Sequence, residues 1–325
     1  MRRLYLHIGS PKTGTTSIQN TFHANRDALH TQGFRYPGDK SCHHLLSFLM
    51  KREESAWPRQ FKGIDKERLQ KVVTNFLLKV SKDFLGHDDH FIISNEHFFV
   101  SDRLAIKNCV DWLKEYVADI EVIVFVRDPV EQYASQQQQV IKANHHLVSP
   151  NEFYYGFREV IEGWGEFCKV HVMQFDSSED SVNKMSSQIG LDPKALIRDE
   201  EKVNESVSLE QMLLLEKVQR DVYPNMPDTF KNHLSPITQF RGGSQTKPRL
   251  KDDAVSIVSR KHKEDVRWIN NEYGLDFYMR TDSGDASTCF PTECKVSDVF
   301  DLSNSKYSRY ESLLIDALLK HVAQK

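Results

Sequence analysis

The sequence predicts an α/β fold: a three-layer sandwich in which a central parallel sheet is flanked by helices, with a helical C-terminal half. Three observations carry this. Short apolar runs alternate with amphipathic stretches up to about residue 176, as in a parallel sheet covered on both faces. The first apolar run passes through a small-residue loop directly into a helical stripe. After residue 180 strand-like runs become scarce while helical periodicity continues.

Taken in order, Leu4 to Ile8 reads as a buried strand, and Ile18, Phe22 and Leu29 mark the stripe of the next helix. Residues 33–64 are loop-rich, with a turn-like Gly33-Phe34-Arg35-Tyr36-Pro37-Gly38 and breaks at Pro58 and Gly63. Leu69, Val72, Val73, Phe76, Leu77, Val80 and Phe84 then define a clear amphipathic helix. Phe91 to Ile93 is a short strand, and Leu104, Val110, Leu113 and Val117 mark another helix. Ile120 to Val126, almost wholly apolar and β-branched, is the strongest strand. Helices are expected at about 130–143 and 153–164, then a strand at 170–175. Further helices are expected near 179–189, 208–220, 252–273 and 307–323. No Pro/Gly/Ser-rich linker interrupts the chain. A single domain over 1–325 is expected, with its core sheet at about 1–176 and a helical completion and closing loop at about 177–325.

Formal charge is −3, from 43 basic and 46 acidic residues, so no global basic field suggests a nucleic-acid partner. No apolar run approaches the length of a membrane span. The short apolar run after Met1-Arg2-Arg3 lacks a small-residue cleavage site and reads as the first core strand. Five scattered cysteines, with no C-x-x-C pair, suit free thiols in a reducing compartment. Cys289 and Cys294 are close enough in sequence to bridge, but a disulfide there is not expected.

The stretch His7-Ile8-Gly9-Ser10-Pro11-Lys12-Thr13-Gly14-Thr15-Thr16-Ser17 is the main chemical signal. Strand, tight loop and helix N-terminus aim backbone N–H groups and the helix dipole at an anion. The usual nucleoside-triphosphate loop places its lysine after the second glycine, beside a Mg²⁺-binding hydroxyl. Here Lys12 precedes Gly14. A second anchor follows the strongest strand: Arg127-Asp128-Pro129, with Ser135 eight residues beyond the arginine. An arginine at the C-terminal end of a parallel strand lies where such sheets bind ligands, and Pro129 is placed to start a helix. Taken alone, Arg127-Asp128 equally reads as a structural ion pair.

Together these two motifs resemble those of sulfotransferases that use 3′-phosphoadenosine 5′-phosphosulfate (PAPS), in particular the soluble bacterial, glycan-type branch. The resemblance spans roughly residues 1–275 and implies a P-loop-like fold. It also implies sulfuryl transfer from PAPS to a hydroxyl on a carbohydrate, with PAP as product and no metal required. It assigns Lys12, Thr13, Gly14, Thr15, Thr16 and Ser17 to the 5′-phosphosulfate, and Arg127 and Ser135 to the 3′-phosphate. Arg241 and Gly242, in a basic loop, stand where relatives close the site, although the family's Arg-Lys-Gly is Arg-Gly-Gly here. A solvated basic loop is the other reading of that segment. No anchor precedes a phosphosulfate loop that starts within ten residues of a methionine, an arrangement expected of a soluble, cytoplasmic protein.

Sulfuryl transfer to an alcohol needs a base for the acceptor proton. Ile92-Ile93-Ser94-Asn95-Glu96-His97 offers two candidates at a strand end. Glu96 ranks first on its likeness to Ser-x-Glu strand ends, and His97 second because it titrates near neutrality. Adjacent residues at a strand end are expected to point apart. His43 and His44, in the loop-rich region, are candidates for shaping the acceptor pocket, with His44 able to hydrogen-bond a sugar hydroxyl. For Trp164 and Tyr154, at helical spacing, core packing is expected. Ser208 reads as the N-cap of the next helix. A nucleotide-dependent kinase lacks its Gly-Lys-Ser/Thr and Mg²⁺-holding acid here. A non-catalytic PAP-binding module would not need Lys12 together with Glu96.

Overall fold

The computed structural model describes residues 2–198, 206–226, 234–240, 245–280 and 289–323. Its strands are β1 (Arg3–His7), β2 (Phe34–Arg35), β3 (His90–Ser94), β4 (Asp119–Val126), β5 (Leu147–Val148), β6 (Lys169–Gln174) and β7 (Glu293–Cys294). Its α-helices begin with α1 (Thr15–Ala24), α2 (Arg26–Thr31), α3 (Lys66–Gly86), α4 (Arg103–Lys114), α5 (Pro129–Val140), α6 (Phe157–Gly165) and α7 (Ser181–Ile189). There follow α8 (Leu209–Val222), α9 (Ser235–Gln239), α10 (Asp252–Lys261), α11 (Lys263–Tyr273), α12 (Val296–Val299) and α13 (Tyr307–Ala323). Chain contacts divide these into two compact units. One comprises Met1–Arg127, Gly156–Val203 and Asn271–Leu275; the other comprises Asp128–Tyr155, Asn204–Asn270 and Asp276–Lys325.

The first unit holds a five-stranded sheet in the order β2-β3-β1-β4-β6, every pairing parallel. In register, Leu6 of β1 lies between Ile93 of β3 and Val122 of β4. Side chains alternate between faces along each strand, so Tyr5, Ile92, Ile123 and Phe125 share one face. They pack with Ile18 and Phe22 of α1, Leu29 of α2 and Val182, Met185 and Ile189 of α7. On the other face, Phe91 meets Phe84 of α3 edge-on at 4.7 Å. Helices therefore cover both faces, which explains why these strands are continuous apolar runs. Fully burying each of the large side chains contributes roughly 1.5–3 kcal/mol, and Phe22, Phe84, Phe91 and Phe125 are all inaccessible to solvent.

The predicted elements recur with local differences. The first helical stripe is two helices, because Asn25 turns its side-chain amide onto the Thr21 and Ile197 carbonyls, each at 2.8 Å. The turn-like 33–38 segment contains the edge strand β2. Helix α6 starts at Phe157 rather than near 153. Trp164 is core, as expected, with its indole N–H donating to the Phe98 carbonyl at 3.0 Å. Leu104 is largely exposed.

The second unit is mainly helical, with the short antiparallel pair β5–β7. Pro129 begins α5, and Asp128 caps it by accepting the Val130 and Glu131 N–H groups. Asp128 also pairs with Arg280 at 2.6 Å. Ser208 caps α8 in a reciprocal box with Gln211, as the sequence predicts. The expected 252–273 helix breaks at His262, whose Nδ1 donates to the Val258 carbonyl and whose Nε2 accepts the Tyr155 N–H. Tyr154 is not core: it is half exposed and its ring stacks on His262 at 5.7 Å. All five cysteines are free thiols. Among the described residues no helix is long and apolar enough to cross a membrane.

Candidate active site

The C-terminal ends of three adjacent strands, β3, β1 and β4, carry the candidate residues of the first unit. The backbone stays paired past the strands, with Asn95 N–H bonded to the His7 carbonyl and Ile8 N–H to the Ile123 carbonyl. The loop after β1 is built on positive φ. Gly9 has φ +75° and Gly14 has φ +81°. Lys12, at φ +66°, holds the same left-handed region with a side chain, a strain of about 1–2 kcal/mol. The Ser10 carbonyl ties the loop together by accepting from Thr13 Oγ1 at 2.7 Å and Thr15 Oγ1 at 3.4 Å. Both buried hydroxyls are thus engaged by the loop itself. Thr16 is half-buried and Ser17 exposed. Gly14 is the N-cap of α1 and offers no side chain, so the first-turn N–H groups of that helix are not capped from it.

Glu96 follows β3 in a 3₁₀ turn, Glu96–Phe98, whose start is capped by Asn95 Oδ1 accepting the His97 N–H at 3.0 Å. Burial pushes the Glu96 carboxyl up, and Lys12 opposes that shift. Burial pushes the Lys12 ammonium down, with help from Arg127, while Glu96 pulls it back up. The cation and the carboxylate therefore act on each other across the loop. Arg127, at the end of β4, donates from Nη1 to the Lys12 carbonyl at 3.4 Å and lies over the Phe175 ring at 5.2 Å. Ser135 is a half-buried residue of α5, in the second unit.

The two adjacent histidines separate. His43 is fully buried, its Nδ1 accepting the Ser94 N–H at 3.1 Å and its Nε2 bonding the Pro37 carbonyl at 2.9 Å. Burial depresses it to about 4. With both nitrogens engaged it offers nothing to an acceptor, so its place in the predicted acceptor pocket is corrected to a structural one. His44 instead reaches the site: its Nε2 is 3.8 Å from Glu96 Oε1, and its ring meets that of His97 edge-on at 4.6 Å. Burial pushes the His44 imidazole down and depresses His97 to about 4. Glu96 and His97 do not point apart, because a 3₁₀ turn rather than extended chain holds them. Donor atoms of His44, Glu96 and His97 all lie within 4.8 Å of one another.

Lys12, Arg127, Glu96, His97 and His44 are thus brought together in the first unit, with Thr13, Gly14, Thr15, Thr16 and Ser17 forming the loop and helix start beside them. Arg241 and Gly242 lie outside the described residues. Sequence reasoning missed the parts played by Gly9, Asn95 and Gln60. A Cβ on Gly9 would stand 2.7 Å from the Glu96 Cα. Its place just before the loop was the available signal. Asn95 was legible as a cap, being an asparagine two residues before the turn's second N–H. Gln60, whose side-chain amide contacts His44 Nδ1 at 2.9 Å, carries no sequence signal.

No protein-family model matches this chain, and no curated protein matches it. Among solved structures, a sulfotransferase from Alicyclobacillus acidocaldarius is similar to it at 12% identity and a TM-score of 0.39, covering 85% of this chain and 98% of that one.

Proposed function

We propose that this protein transfers a sulfuryl group from PAPS to an acceptor hydroxyl, on a carbohydrate, with Glu96 as the general base. The observation that carries the reading is the close approach of the Lys12 loop to the Glu96 turn, where a Cβ on Gly9 would stand 2.7 Å from the Glu96 Cα, with Arg127 Nη1 3.4 Å from the Lys12 carbonyl. An anion loop alone would suit a binding module. A half-buried carboxyl beside it, with its proton affinity raised, adds a group able to accept a proton.

The residues fit an anionic donor: the N-terminus of α1 is uncapped by side chains, and Lys12 and Arg127 lie next to it. PAPS, when bound, supplies the sulfuryl group and a phosphate leaving group. Lys12 would neutralise the charge that develops on the leaving oxygen. The N–H groups of Gly14, Thr15, Thr16 and Ser17 would hold the 5′ end. Arg127 would hold the 3′-phosphate. Glu96 would take the acceptor's proton and hold it while the S–O bond forms. His44 would donate to or accept from a neighbouring acceptor hydroxyl.

The test is acceptor-dependent release of PAP. Incubated with PAPS and a panel of neutral and acidic glycans, the protein is expected to form PAP only when an acceptor is present. Acceptor-independent behaviour across the panel, with Mg²⁺-ATP consumed instead, overturns the proposal.

A further inference from the structure

The His44–Glu96–His97 cluster has a donor set that proton transfer alone does not explain. Two imidazoles and a carboxylate converge from two separate segments, with ligand atoms within 4.8 Å of one another. Nε2 of His44 and Nε2 of His97 are both shielded from solvent and have no hydrogen-bond partner. Leaving two such nitrogens unpaired is costly unless something fills the space between them. His44 Nε2 stands 3.8 Å from the nearer Glu96 oxygen, about half an ångström beyond the spacing of two ligands on a tetrahedral ion with bonds near 2.0–2.1 Å.

Two outer contacts bear on the ligands. The Gln60 amide nitrogen lies 2.9 Å from His44 Nδ1; a half-turn of that amide puts its oxygen there instead, where it accepts Nδ1–H and leaves the Nε2 lone pair for an ion. Asn95 caps the turn that carries both Glu96 and His97, which fixes those two ligands relative to each other. From this geometry we infer that His44, Glu96 and His97 form a site for one late first-row divalent metal ion, of the zinc and cobalt class. Two imidazoles with one carboxylate suit those ions; Mg²⁺ and Ca²⁺ prefer oxygen donors. The fourth position is open to water or to an acceptor hydroxyl. An ion held by Glu96 takes the lone pair that proton abstraction needs, so the loaded protein loses transfer. That consequence rests on the sulfotransferase reading; the binding itself does not.

Cobalt(II) titration of the full chain, followed by visible absorption, tests the site. One equivalent is expected to give the intense bands of a four-coordinate ion, and zinc is expected to abolish them. His97→Ala and His44→Ala should each weaken binding at least about a hundredfold. The exposed Gln60→Ala should weaken it about tenfold while leaving the fold untouched. His146→Ala, at a histidine pair elsewhere, should change nothing. Absence of the bands, or equal cobalt affinity in the Gln60 and His97 variants and the parent, overturns the site. PAP binding measured on the same samples separates the two proposals. Cobalt bound without PAP binding overturns only the donor reading. PAP bound without cobalt overturns only the metal site.

Discussion

Gly9 and Glu96 lie so close that a Cβ on the glycine would stand 2.7 Å from the Glu96 Cα and 2.9 Å from its Cβ. The loop that carries Lys12 is thereby pressed against the turn that carries Glu96, and only a residue without a side chain permits it. Gly9 also holds φ +75°. Gly9→Ala is therefore expected to destabilise the protein by about 1–3 kcal/mol, lowering Tm by several degrees. It should reduce transfer further by moving Glu96 away from Lys12. A thermal melt and a transfer assay on the same sample check it, and an unchanged Tm contradicts the close approach.

Glu96→Gln keeps the size of the side chain and removes the proton acceptor. Transfer should fall about 10²–10⁴-fold while PAP affinity stays within a few-fold. In the parent, burial raises the Glu96 proton affinity. The acidic limb of the rate profile should therefore lie above the ordinary carboxylate range and disappear in the variant. Full turnover in Glu96→Gln would pass the role to another group.

Lys12→Ala removes the cation beside Arg127 and Glu96. Transfer should fall about 10²–10³-fold, as for loss of a single charge-stabilising donor. A fall in affinity for PAPS with unchanged turnover would mean that Lys12 only binds. The same change relieves the opposition Lys12 offers to the Glu96 shift, so any residual activity should move its acidic limb to higher pH.

His43 and His7 are buried as neutral imidazoles, depressed by burial to about 4 and about 3. Their folded values lie below the unfolded value near 6.5, so the unfolded chain binds more protons as the medium acidifies. Their contribution to stability is complete above about pH 6.5 and is lost as pH falls toward 4, by about 1.4 kcal/mol for each histidine per pH unit. Tm at pH 5 should be several degrees below that at pH 7. Equal values at the two pH settings contradict the buried neutral state.

Much of the fold was legible because its signals are local. The β4 strand is an unbroken apolar run, Pro129 starts α5, and Ser208 with Gln211 forms a capping box within four residues. The breaks at Asn25 and His262 were not legible, since each depends on partners far along the chain: the Ile197 carbonyl and the Tyr155 N–H. Edge strand β2 is two residues long, inside a Gly-rich and Pro-containing segment that reads as a turn. At the site, the Lys12 loop was visible as a contiguous pattern. The grouping of His44 with Glu96 and His97 was not, because it needs both the 3₁₀ turn after β3 and the fold-back of residues some fifty positions earlier. The split fates of His43 and His44 have the same origin: one ring bonds Ser94 and Pro37, and its neighbour in sequence faces the other way.

The most direct test of the central claim is calorimetric titration with PAP, and separately with ATP, in the presence and absence of Mg²⁺. The displaced lysine and the strand-end Arg127 predict metal-independent PAP binding that is at least tenfold tighter than ATP binding. A preference for Mg²⁺-ATP, or PAP affinity that vanishes with EDTA, would contradict it.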